Sequence, residues 1–109
     1  MAEQTDILLR VRSVAGKKLL FLPHALRQML RPDRMISSAE VRQVIEHGEM
    51  IEDYREDPRG HSCLICGFGD ENRPIHVVCS PKPDFLAVIT AYIPDPAEWS
   101  DDFKTRIDR

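Results

Sequence analysis

The chain has 109 residues, 42% hydrophobic and 30% charged, with a formal net charge of −3 at pH 7. That length suits one domain with its own core, and no apolar run is long enough to span a bilayer. An acidic total argues against strong non-specific binding to nucleic acid. The charge is unevenly spread: residues 1–34 carry seven Lys/Arg against three Asp/Glu, and residues 35–109 carry eight against fifteen. The basic first third could face phosphate, or it is simply a solvated helical surface.

The N-terminal stretch MAEQTDILLR lacks a basic segment ahead of its apolar residues and is not read as a secretory signal. With three cysteines, an odd number, the chain is expected to be cytoplasmic with reduced thiols. A first helix is expected over residues 5–15, capped by Thr5 or Asp6. Ile7, Leu8, Val11, Val14 and Ala15 share its buried face. Residues 19–22, Leu-Leu-Phe-Leu, form a short strand. Pro23 sits at the first position of a second helix, 23–31, which Pro32 ends. A third helix, 38–47, has a capping box from Ser37 and Glu40 and a hydrophobic staple from Ile36 and Val41. Gly48 ends it.

Beyond Gly48 the apolar period changes to two. Strands are expected at residues 50–55, 62–68, 74–79 and 85–92, and their short connections favour antiparallel pairing. The strand holding His76, Val77 and Val78 is the most uniformly apolar and belongs at or next to the centre of the sheet. Residues 97–109 read as a short helix or an ordered tail in which Trp99 and Phe103 pack together. The fold class expected is α+β, with N-terminal helices on one face of a small, mainly antiparallel sheet, in a single domain spanning 1–109.

The candidate chemistry is sparse. Cys63-x-x-Cys66 has the spacing of a zinc or redox pair, but within a strand residues i and i+3 face opposite ways. Inert buried cysteines are therefore the default, and no metal site and no cofactor is assigned. His24 lies in the first turn of a helix, where positive partial charge favours a neutral imidazole able to act as a base. His76 lies mid-strand among apolar residues. For either histidine taken alone, a structural role in the core or on the sheet face is the favoured reading. Tyr54, Thr90 and Tyr92 converge on one face if the register permits; Arg27, Arg34 and Arg106 could bind phosphate, although surface charge is the favoured reading for each taken alone. RNA cleavage by its own 2′-hydroxyl needs only a base, an acid and a cation, all present here.

The order of motifs adds to this reading. His24-Ala25, Met29, Ile36-Ser37, Val41, Val44-Ile45, Gly48-Glu49, Tyr54, Ser62-Cys63-Leu64, His76-Val77-Val78, Ile89-Thr90, Tyr92, Pro94-Asp95 and Trp99 follow one another. The chain thereby resembles, over residues 17–106, a family of small bacterial and archaeal domains of unknown function. That family looks like a relative of the RelE/ParE and BrnT toxin-like folds. Some members are encoded beside zinc-finger proteins of the MqsA antitoxin type. The resemblance implies a RelE-like, toxin-antitoxin-type protein, either a metal-free ribonuclease or an inactive relative. In the active form His24 or His76 is the base, Tyr92 or the other histidine the acid, and Arg27, Arg34 and Arg106 hold RNA phosphate. A zinc-finger antitoxin-type protein, RNA and a second copy of the chain are the partners considered; a membrane is not. Two departures stand out: Gln28 occupies a position where the family carries Arg, and the loop 31–35 is longer and lacks a Gly before Ile36. The alternatives are a non-catalytic protein-binding module of the same fold and, less favoured, a zinc or thiol protein.

Overall fold

The computed structural model describes residues 2–107, and the side chains of residues 7–107. These form α1 (Ala2–Ala15), β1 (Leu19–Phe21), α2 (Pro23–Met29), α3 (Ser38–His47), β2 (Glu49–Tyr54), β3 (Ser62–Phe68), β4 (Pro74–Pro81) and β5 (Leu86–Tyr92), with a 3-10 turn at Asp70–Asn72. The fold is α+β, with a five-stranded mixed sheet in the order β1-β5-β4-β3-β2. β1 runs parallel to β5 and every other pairing is antiparallel. β4, the His-Val-Val strand, is central, as its apolar character requires.

The sequence boundaries need small corrections. α1 begins at Ala2, so Thr5 and Asp6 lie inside it rather than capping it, and their side chains fall outside the described residues. α2 ends at Met29, before Pro32, because the chain turns at Leu30. β4 runs on to Pro81. Of the two forms expected for the C-terminal segment, residues 97–107 take the ordered tail and not the helix: they make turns and one antiparallel bridge, Trp99 to Arg106, and Phe103 packs against the cluster that holds Trp99. Residues 1 and 108–109 lie outside the described residues.

The α3 start is built as its residues dictate. The Glu40 N–H donates to Ser37 Oγ at 3.0 Å, and the Ser37 N–H donates to Glu40 Oε1 at 3.0 Å. Ile36 and Val41 are both buried beside this cap. At the other end Arg12 of α1 donates to the carbonyls of Ile45 and Gly48, at 3.0 and 2.8 Å, placing a cation on the negative end of the helix.

The main core lies between the helices and one face of the sheet. Ile7, Val11, Ala25, Met29, Val44 and Ile45 meet Ile65, Ile75, Val77, Val88 and Ala91 there. The opposite face is also covered, which the one-sided expectation missed. Leu64, Val78, Ile89 and Trp99 form a second cluster, closed by Leu22, Ile51, Tyr54 and Phe103. The C-terminal segment thus acts as a second layer. Strands covered on both faces read as continuous apolar runs, which is how β3, β4 and β5 read.

Candidate functional site

β1 pairs with β5 only from Leu86 to Val88. Residues 89–92 of β5 therefore have no strand beside them on that edge, and α2 lies along the gap. In α2, Ala25 and Met29 turn into the core. His24 and Gln28, one turn apart, share the neighbouring face. The result is an open depression of ≈ 370 Å³. His24, Gln28 and Arg34 line it from the helix side, Thr90, Tyr92, Ile93 and Asp95 from the end of β5, and Glu98, Trp99 and Arg106 from the C-terminal segment. Of the residues singled out from sequence, the structure brings His24, Arg34, Thr90, Tyr92 and Arg106 to this one place. Arg27 is exposed on α2 and is not among the lining residues.

His76 stands behind the depression. It is fully buried on β4, directly opposite Tyr92 in the β4–β5 register. Its Nε2 lies 2.7 Å from the Phe103 carbonyl and its Nδ1 lies 3.3 Å from the Tyr92 hydroxyl. A carbonyl only accepts, so Nε2 carries the proton and Nδ1 accepts from Tyr92. Burial pulls the His76 pKa down, against the pull of the Phe103 carbonyl, and keeps the ring neutral. The Trp99 ring meets it edge to face at a centroid distance of 4.5 Å. Burial likewise raises the Tyr92 pKa, so its hydroxyl keeps its proton.

The two arginines of the depression differ. Arg106 is committed: its guanidinium binds Glu52 with both arms, at 2.8 and 3.1 Å, and lies 4.7 Å over the Trp99 ring. Burial acts to raise the Glu52 pKa, but Arg106 and the Tyr54 hydroxyl outweigh it and hold the carboxyl ionised. Tyr54 itself, half-buried and bonded to that carboxylate, is pushed up to about 12 and does not line the depression. Arg34 is paired only loosely. Its side chain is only 18% exposed, its nearest carboxylate is Asp33 at 3.9 Å, and its buried Nε has no hydrogen-bond partner.

Arg34 is held in place by residues that sequence reasoning missed. Arg73 donates to the Arg34 carbonyl and, at 2.8 Å, to that of Met35, whose φ is +46°. Arg73 is in turn anchored on buried Glu40 at 2.8 and 3.1 Å. Glu40 also accepts from the Asp70 N–H at 2.8 Å. The capping box was legible in the sequence, but its second use as an anchor for Arg73, 33 residues away, was not.

The cysteines sit as strand geometry demands. Cys63 packs in the helix-side core, whereas Cys66 opposes His76. Cys63 faces Cys79 across β3 and β4. All three are buried free thiols. Among the described residues no three His, Cys, Asp or Glu side chains are grouped to hold a metal ion. Among the same residues, no helix is long and apolar enough to cross a membrane.

Residues 21–93 match the family model described as a domain of unknown function, DUF4258. The chain belongs to the DUF4258 family. The matched segment carries His24, Gln28, Arg34, Thr90 and Tyr92. α1 precedes the DUF4258 segment, and Trp99 and Arg106 follow it. No curated protein and no solved structure matches the chain.

Proposed function

We propose that this DUF4258 domain is a toxin-antitoxin-type protein with a RelE-like ancestry, and that the His24 depression binds RNA and cleaves it without a metal. One observation carries the reading: an exposed imidazole and a loosely paired arginine face a protonated tyrosine across one open depression. His24 takes the proton of a ribose 2′-hydroxyl. The 2′-oxygen then bonds to phosphorus while the bond from phosphorus to the 5′-oxygen breaks, leaving a 2′,3′-cyclic phosphate. Arg34 is the cation for the charge that develops on the phosphoryl oxygens. Tyr92 turns its O–H from His76 toward the leaving oxygen and supplies the proton. His76 is a positioning residue here. Cellular RNA as substrate implies a cytoplasmic site of action, and a zinc-finger antitoxin-type protein is the regulator implied by the family resemblance.

A second reading has its own support. His76 is saturated by its two hydrogen bonds, and the charge of Arg106 is already met by Glu52. Both fit a non-catalytic, protein-binding relative of the same fold. Tightly controlled expression of the wild type, His24→Ala and Arg34→Ala in a bacterial host separates the two readings, with the ends of cellular RNA mapped in parallel. Growth arrest and new cyclic-phosphate ends with the wild type alone, at equal soluble protein, support the ribonuclease. Equal growth and unchanged RNA in all three remove it in favour of the binding module.

A further inference from the structure

A second, larger groove of ≈ 550 Å³ lies between α1 and the corner that joins β4 to β5. Its apolar lining comes from Leu9, Val14, Pro81 and Pro83, and its cations are Arg10, Lys17 and Lys82. None of its lining residues is acidic. Leu9 is 61% exposed although it belongs to a helix with a well-buried face.

The cations are not equivalent. Lys82 donates its ammonium to the Arg59 carbonyl and is held by the β2–β3 turn. Arg12, on the other side of α1, is fastened to the end of α3. Arg10 and Lys17 have no ion-pair partner among the described residues. They stand in the basic first third of a chain that is otherwise acidic.

We propose that this groove docks an acidic segment of a protein partner, one that carries a leucine or phenylalanine beside its carboxylates. The exposed Leu9 and the two prolines offer a rigid apolar wall, which rewards insertion of one apolar side chain. Arg10 lies in α1 and Lys17 just past its end, so the two charges meet carboxylates spaced along a chain instead of one point charge. Single-stranded nucleic acid is the poorer fit, because it is gripped by aromatic platforms as well as cations and no aromatic residue lines this groove. The groove joins α1, which precedes the family-matched segment, to the β4–β5 corner within it. It shares no lining residue with the His24 depression, so the docking stands apart from any RNA chemistry.

The test is an NMR titration of the full chain with a synthetic acidic peptide bearing leucines at helical spacing. A leucine-to-serine version of the peptide and a single-stranded RNA oligonucleotide are titrated in parallel. The expected result is saturable movement of the Ser13, Lys17 and Lys82 amides by the acidic leucine peptide. The paired surface changes Arg10→Glu and Lys17→Glu should weaken this about tenfold or more, with the fold intact by circular dichroism. Leu9→Ser and the serine peptide should each weaken it too, and His24→Ala should leave it unchanged. Absence of saturable shifts, equal binding by the charge-reversed protein, or stronger shifts of these amides by RNA would each overturn the proposal.

Discussion

The Tyr92 hydroxyl and Nδ1 of His76 lie 3.3 Å apart, on strand positions that face each other across β4 and β5. The pair turns a residue on the rim of the depression into the outer end of a buried hydrogen-bonded chain that finishes at the Phe103 carbonyl. It also fastens the C-terminal segment to the sheet, since Phe103 lies outside every strand.

Stability should therefore depend on His76 and on pH. His76→Ala removes a fully buried ring and leaves the Phe103 carbonyl unpaired, and should cost about 3 kcal/mol in urea unfolding. The folded-state pKa of His76 lies below the ordinary 6.5, so protons favour the unfolded chain. Its contribution is whole above pH 6.5 and is lost as pH falls from there toward the folded value. A wild-type profile flat between pH 5 and 7 would contradict this, as would an identical slope in His76→Ala.

Glu40 should set a second, more acidic transition. Burial alone would raise its pKa; Arg73 and the N–H groups of Ser37 and Asp70 outweigh burial and hold it at about 2, against 4.5 in the unfolded chain. That stabilisation is present above pH 4.5 and is lost as pH falls from 4.5 toward 2. Its size is on the order of 3 kcal/mol. Acid unfolding of Glu40→Gln should start from a lower stability and lose this part of the slope. The same change frees Arg73 and should blur the Arg34 and Met35 resonances.

Arg34 should matter to ligand and not to folding. Its buried Nε has no partner, so Arg34→Ala should change stability by less than about 1 kcal/mol. Under the ribonuclease reading the same change should cut RNA cleavage roughly 100-fold, and Arg34→Lys should not restore it, because the planar fork is lost. Gln28→Arg would return a cation to the depression and should tighten RNA binding at low salt by about tenfold or less. Cleavage unchanged in Arg34→Ala would remove Arg34 from the chemistry.

The thiols should be inert in the folded state. Cys63, Cys66 and Cys79 are buried. The neighbouring Cys63 thiol, and then burial, raise the Cys79 pKa, and burial raises that of Cys66. Thiol-reactive dye at pH 7.5 should label the native protein at least about a hundredfold more slowly than the urea-unfolded chain. Rapid labelling of any one cysteine would show that its strand opens.

Local signals carried most of the fold. The Ser37–Glu40 capping box, Pro23 at the head of α2 and the two-residue period after Gly48 each act within a few residues, so they stand in the sequence as they stand in the helix or strand. The central place of the His-Val-Val strand was legible for a related reason: only a strand covered on both faces affords so few polar residues. The Cys63–Cys66 separation onto opposite faces followed from the strand period alone.

Other features depend on where distant segments come to rest. The sequence could nominate His24, His76 and Tyr92 but could not tell the exposed imidazole from the buried one, because that depends on where α2 and Phe103 settle. Nothing near Glu40 announces Arg73, and nothing near Glu52 announces Arg106; each pair joins residues more than thirty positions apart. Residue type and short-range period are written along the chain, whereas burial and charge pairing are properties of the packed whole. Composition and short-range period sufficed for an α+β class and a small set of polar candidates. Packing of distant segments set His76 behind Tyr92, paired Glu52 with Arg106, and left the buried Nε of Arg34 without a hydrogen-bond partner.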